Sequence, residues 1–231
     1  LGNLAGGIAH DFNNIIFGII GYTDLAMESL PKDSQAYANL ERVINAANRS
    51  ASMVQQILAF SRQGVSEKSG LDLRPLVNEG LKFLRAAIPT TINIKSHIEP
   101  GQTKIWADPT KIHQVLMNLC VNASHAIGDE HGTISVDLSE IVVQDEFAAA
   151  NPPLSPGKCL RLEVTDTGSG ITPENMDKIF DPYFTTKEEG KGTGLGLSVV
   201  YGIVTDHGGV IMVRSEPFKG STFEILLPVL V

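Results

Sequence analysis

Apolar residues at the start of the chain recur at alternating steps of three and four: Leu1, Leu4, Ile8, Phe12, Ile15, Ile19, Tyr22 and Ala26. That spacing draws one stripe along an amphipathic helix, which the pattern predicts to run to about Ser29. Leu30-Pro31-Lys32-Asp33-Ser34 then supplies a proline break and a cap. A second stripe follows at Leu40, Ile44, Ala47, Ala51, Val54 and Leu58, so the two helices are expected to form a hairpin. One hairpin has too little interior to stand alone, whereas two make a four-helix bundle, and a homodimer follows as an expectation.

Past Gly64 the chain turns small and polar (Val65-Ser66-Glu67-Lys68-Ser69), which reads as a linker and divides the chain into 1–65 and 66–231. The second part mixes periods. A helix from about Arg74 to Ala87 is followed by alternating Ile92, Ile94 and His97-Ile98, a strand signal ended at Pro100, and by a short strand at Lys104-Ile105-Trp106. Asp108-Pro109 is a cap with proline at the first helical position, opening a helix to Ile127. Strands are expected at about Gly132 to Val143 and Lys158 to Thr167, with Gln144 to Gly157 as an exposed excursion between them. A helix from Leu195 to about Thr205 and a hairpin of Val210 to Ser215 with Thr222 to Pro228 close the chain. The fold class is therefore α+β, with an N-terminal helical hairpin followed by helices stacked on one face of a mixed sheet.

Composition narrows the partners. A hydrophobic content of 42% carries no signature of disorder. No apolar run reaches membrane-spanning length, so direct membrane contact from this segment is not expected. A net charge of −8 argues against nucleic acid or an anionic membrane surface as the main partner. Cys120 and Cys159 have no metal or disulfide spacing and read as buried reduced thiols, which fits a cytoplasmic location. Because the first residue already lies inside the helical pattern, the chain reads as a segment of something longer.

Chemistry concentrates in a few stretches. His10 lies about 200° round the first helix from Ile8, which points it away from the apolar stripe and leaves it reachable. Gly6 and Gly7 lie one turn back, Asn13 and Asn14 one turn on, and Asp11 is adjacent. A glycine inside a helix costs roughly 1 kcal/mol relative to alanine, so several together invite a close approach; an ordinary exposed histidine is the plain alternative. Gly192-Thr193-Gly194-Leu195-Gly196, opening a helix, is a ready phosphate cradle, though it matches neither the Walker nor the dinucleotide pattern and would also serve as a flexible turn. A second glycine stretch, Asp166-Thr167-Gly168-Ser169-Gly170, follows a strand. Asn118 and Asn122 share a helix face, where an amide oxygen can complete the shell of a magnesium ion partly filled by phosphates, or can bridge locally instead.

Taken together, these motifs resemble the sensor histidine kinases, whose ATP-binding domain is similar to those of gyrase, Hsp90 and MutL. His10-Asp11 with Asn14 matches the H box and Asn118 to Ala123 the N box. Asp166 to Gly170 matches the G1 box, Phe180-Asp181-Pro182-Tyr183-Phe184 the F box, and Gly192 to Gly196 the G2 box; Gly220-Ser221-Thr222 fits a final glycine turn. The H box with Asp-Phe-Asn-Asn resembles the nitrogen-regulator and hybrid branch. Five motifs in family order over nearly the whole chain are highly specific.

The resemblance implies roles. Asp166 accepts the adenine amino group, with Gly168 and Gly170 leaving room for the base. Asn122 holds Mg²⁺ on the phosphates of ATP, Gly194 and Gly196 offer backbone amides, and residues 181–192 form a lid in which Lys187 or Lys191 reaches the terminal phosphate. His10 is the phosphoryl acceptor, oriented by Asp11, and the phosphoryl passes to an aspartate of a response-regulator receiver domain. Asn14 positions water in a second, phosphatase activity on that regulator. The family implies a cytoplasmic location for this segment, whether or not the parent chain is anchored in a membrane. In the hydrolytic relatives a glutamate stands where this chain has Asn118, and a carboxamide takes no proton at neutral pH, so transfer to a side chain is favoured over hydrolysis. His125 and His113 depart from the common pattern around the N box. The competing readings are a silent docking module and a water-using ATPase.

Overall fold

The computed structural model describes residues 15–16, 18–44, 46–47, 67–101, 103–187 and 193–230. The chain divides into two compact units, Leu1–Ser66 and Glu67–Val231. In the first, helix α1 is described over 15–16 and 18–28, and helix α2 over 35–44 and 46–47. Ser34 caps α2 as expected: its Oγ accepts from the Tyr37 amide at 3.1 Å. On α1 the buried residues among those described are Ile16 and Thr23, while Ile15, Ile19 and Tyr22 of the predicted stripe face solvent. His10, Asp11 and Asn14 lie outside the described residues.

The second unit runs β1 Ser69–Asp72, α3 Leu73–Ala87, β2 Ile92–Ile98, β3 Lys104–Ala107, α4 Pro109–Ile127, β4 Gly132–Val143, α5 Asp145–Ala150, β5 Gly157–Asp166, α6 Pro173–Met176, α7 Gly196–Asp206, β6 Val210–Glu216 and β7 Gly220–Pro228. Five strands form one sheet in the order β2-β4-β5-β7-β6, and β1 pairs with β3 in a separate ribbon. β2 and β4 are parallel and the other pairs are antiparallel, so the sheet is mixed. Strand alternation decides the layers. Ile134, Val136 and Leu138 of β4, Leu160, Leu162 and Val164 of β5, and Phe223, Ile225 and Leu227 of β7 all point to one face. There they pack beneath Leu84, Leu116, Leu119, Val200 and Ile203 from helices α3, α4 and α7.

Two features were not expected. β1 falls at the end of the stretch read as linker, where its short sequence has too little alternation to register. The excursion after β4 is not simply exposed: it carries α5 and buries Ala148 and Leu154 against Val143, Cys159 and Leu226 on the opposite face of the sheet. The sheet is thus capped on both faces at that end. Both cysteines are free and buried, and burial pushes the Cys120 thiol up to about 12. No helix among the described residues is long and apolar enough to cross a membrane.

Helices α4 and α7 are joined by one histidine. Asp108 caps α4 through bonds from the amides of Thr110 (2.8 Å) and Lys111 (3.3 Å), with Pro109 at the first helical position. The Asp108 amide donates to Nε2 of His207 at 3.2 Å, and His207 Nδ1 lies 2.7 Å from the Ile203 carbonyl. Nε2 must accept and Nδ1 must donate, so the ring is neutral. Burial holds it below the ordinary histidine value. The unfolded chain takes up a proton near its ordinary value, about 6.5, while the folded ring resists. Stability from this group is therefore complete above that value and is lost as pH falls from it toward the lowered folded value. Urea midpoints should fall between pH 8 and pH 5.5, and His207→Gln, which keeps a donor and an acceptor without titrating, should show a smaller fall; equal falls would contradict the assignment.

Candidate active site

The site-forming elements meet where β5 ends and α7 begins. Asp166, the last residue of β5, is 4% exposed. Its Oδ1 accepts from the Gly168 amide at 2.8 Å. Burial raises its carboxyl above the usual carboxylate range, and the Gly168 and Ser221 amides counter that by bonding the ionised form. A desolvated carboxylate with capacity to accept further bonds suits an exocyclic amino group.

The glycines after it are pressed against protein backbone. A Cβ on Gly168 would lie 2.5 Å from the Ala126 carbonyl carbon, and one on Gly170, at φ +68, would lie 2.1 Å from the Glu216 oxygen. The room they keep is taken by protein backbone, because the loop is pressed against the end of α4 and the β6–β7 turn. Ser169 completes the clamp: its N–H donates to Ala126 at 2.9 Å and its carbonyl accepts from Phe218 at 2.7 Å. Thr222 on β7 faces its register partner Thr165, their hydroxyls 3.0 Å apart, just behind Asp166.

Across the site, α7 begins without a side-chain cap and without an acidic residue in its first turn. Its leading amides and the positive end of its dipole are therefore available to an anion. Thr193 Oγ1 accepts from the Leu195 amide at 3.4 Å, and Leu195 is 38% exposed. Asn118 Nδ2 donates to the Gly196 carbonyl at 3.2 Å, so this asparagine does bridge, fixing α4 to the start of α7. Asn122 stands one turn further along, its amide nitrogen 3.6 Å from where a Cβ on Gly196 would sit. Among the described residues no three acidic, histidine or cysteine side chains cluster to cage a metal. A single amide oxygen suits Mg²⁺, which keeps most of its shell for phosphates and water.

The start of the lid is anchored. Phe180 packs against Tyr201 of α7, ring centres 5.5 Å apart and the planes tilted by 42°. Tyr183 takes the uncommon φ of +69 and donates its N–H to the Gly194 carbonyl at 2.9 Å, tying the stretch after α6 to the approach to α7. Lys187 Nζ lies 2.8 Å from His125 Nδ1. Lys191 and Gly192 lie outside the described residues. Tyr201, Thr165 and the His125 contact were not assigned from sequence. Only the strand register and the helical spacing from Leu197 to Tyr201 carry a signal for the first two.

Comparison with known proteins matches this geometry. The family model for the histidine kinase-, DNA gyrase B- and HSP90-like ATPases covers residues 107–231, and the model for the His Kinase A phospho-acceptor domain covers 1–65. The chain belongs to the sensor histidine kinases. Sensor kinase CckA of Brucella abortus (strain 2308) is 41% identical over 234 residues, covering 100% of this chain and 24% of that protein. Sensor histidine kinase ZraS of Escherichia coli (strain K12) is 37% identical over 230 residues, covering 99% of this chain and 46% of the relative. The chain thus spans less than half the length of either histidine kinase. Among solved structures, the catalytic domain of histidine kinase ThkA superposes with a TM-score of 0.58 at 31% identity, over 71% of this chain and 96% of that one. ThkA in complex with response regulator TrrA superposes at 0.63 and 27% identity, over 100% of this chain and 62% of that one.

Two glycines test how this histidine kinase builds its site. Gly170→Ala should lower stability by roughly 2 kcal/mol or more, from left-handed backbone plus overlap with Glu216. Gly202→Ala, in α7 with open space around it, should raise stability by about 0.5–1 kcal/mol. Denaturant midpoints at constant slope check both.

Proposed function

We propose that this histidine kinase core binds ATP between α4, α7 and the glycine loops and moves the terminal phosphoryl group onto His10. The observation that carries this reading is the pairing of one buried carboxylate, Asp166, with an uncapped α7 N-terminus on the far side of an asparagine-bearing helix face. That is a base-recognising end and a phosphate-recognising end on one floor.

In this reading the Asp166 carboxylate accepts from the adenine amino group, and the amides of Gly194, Gly196 and the first turn of α7 hold the phosphates. Asn122 would hold Mg²⁺, which supplies charge neutralisation along the phosphate chain. The neutral imidazole of His10 attacks the terminal phosphorus in line; a P–N bond forms, the bond to the bridging oxygen breaks and ADP leaves. Asp11 orients the ring and accepts the imidazolium proton. The phosphoryl group then passes to a receiver aspartate of a response regulator, as the complex of ThkA with TrrA suggests for this chain. Asn14 positions water for the reverse, phosphatase direction.

Dimerisation is supported by the phospho-acceptor family match and by the exposed stripe of Ile15, Ile19 and Tyr22, which a second hairpin would cover. Asn118 supports transfer over hydrolysis, because its amide is engaged with Gly196 and no carboxylate stands there to activate water.

Incubation with radiolabelled Mg·ATP should give an acid-labile, base-stable label on the wild-type chain and none on His10→Gln. Asp166→Asn should weaken ATP binding at least tenfold by placing an NH₂ against the adenine NH₂. Steady phosphate release that survives His10→Gln would replace this reading with a water-using ATPase.

A further inference from the structure

The contact between His125 and Lys187 joins the lid to the helix face that carries Asn118 and Asn122. These three α4 positions stand at i, i+4 and i+7, so they share one stripe. Asn118 and Asn122 place that stripe against the start of α7. His125 is one turn, about 5 Å, beyond Asn122 along the axis. Lys187 reaches it from a segment whose course is set locally: Phe180 packs against Tyr201, Phe184 donates its N–H to the Asp181 carbonyl at 3.2 Å, and the Lys187 amide donates to Thr185 Oγ1 at 3.2 Å.

The chemistry of the pair is asymmetric. An ammonium has donors only, so Nδ1 of His125 must accept and the ring is neutral with its proton on Nε2. Partial desolvation lowers both groups from their ordinary values, and the Lys187 charge adds to the effect on His125. No carboxylate among the described residues lies within ion-pair range of Lys187. A cation held by a neutral acceptor keeps its charge for an anion.

We propose that His125 is a positioning residue: it holds the Lys187 ammonium over the Asn118–Asn122 stripe so that Lys187, and not the imidazole, meets the phosphate chain of the nucleotide. The inference rests on the ATP reading above and assigns one lid lysine to it. A neutral ring can release the ammonium to a stronger acceptor without leaving a buried charge behind, whereas a second fixed cation there would repel it.

The test separates phosphate recognition from base recognition by comparing affinities for Mg·AMP-PNP and for adenosine on the full chain, by titration calorimetry. Lys187→Met and His125→Ala should each lower the AMP-PNP to adenosine affinity ratio roughly tenfold while adenosine affinity, which reports a folded Asp166 pocket, stays within about twofold. The double variant should lose no more than Lys187→Met alone, since both remove one interaction. His125→Gln, whose side-chain carbonyl can accept from the ammonium, should recover most of the ratio. In autophosphorylation the singles should raise KM for ATP more than they lower kcat. An unchanged ratio in His125→Ala, or a further loss when it is combined with Lys187→Met, would overturn the positioning role. A wild-type chain that binds AMP-PNP no better than adenosine would instead overturn the ATP reading itself.

Discussion

The second unit depends on α4 and α7 being tied at both ends. At one end the neutral His207 ring links the α4 cap at Asp108 to the last turn of α7. At the other, Asn118 holds the carbonyl of Gly196. Between these points Leu116, Leu119, Val200 and Ile203 fill the space over the sheet. Burying such side chains is worth about 1.5–3 kcal/mol each, but apolar contact has no direction and does not fix how far one helix slides along the other. The two polar links do fix it. They decide that the leading amides of α7 sit opposite Asn122 and not a turn away, a displacement of about 5 Å that would separate the groups proposed to meet phosphate and metal.

Asp166 shows the same division between apolar bulk and polar placement. The sheet buries it, which by itself would favour the protonated form. The Gly168 and Ser221 amides offset part of that, and the loop that delivers Gly168 is clamped between Ala126 and the β6–β7 turn. The carboxylate is thus kept as an acceptor by a turn whose glycines let backbone pack on backbone. A looser loop would leave the acid exposed to water, where its discrimination between an amino and a carbonyl edge would be weaker.

Most of this was legible from residue order. Alternation marked β2, β4, β5 and β7, and three-four spacing with Asp108-Pro109 marked α4 to within its observed ends, because those segments are long enough for a period to repeat. β1, at four residues, is not. The segment after β4 misled because its prolines and alanines read as solvent-facing, while Ala148 and Leu154 are drawn in by apolar residues of strands that lie far away in sequence. On α1 the period of three and four singled out Ile15, Ile19 and Tyr22, which are exposed while Ile16 and Thr23 are buried, because what covers a helix face is not a property of the local pattern. The boxes located Asp166, Asn118 and the α7 start, yet could not say that Gly168 and Gly170 yield space to Ala126 and Glu216, since that is decided by loop against loop. The His125–Lys187 contact joins positions 62 apart, and nothing local to either residue announces it.

Asn118 is where stability and reaction choice coincide. Its amide nitrogen donates to the backbone carbonyl of Gly196, at the start of the helix proposed to meet the phosphates. A carboxylate of similar reach, as in the hydrolytic relatives, has no proton to give to that carbonyl at neutral pH and would be repelled by it. Such a residue must turn elsewhere, and a carboxylate turned toward solvent beside the phosphates is placed to take a proton from water. The asparagine closes that option twice, by its chemistry and by being engaged. In the proposed reaction, with water unactivated, a phosphoryl group at the α7 terminus would have one productive exit, an external nucleophile, and the imidazole of His10 is the nucleophile proposed for it.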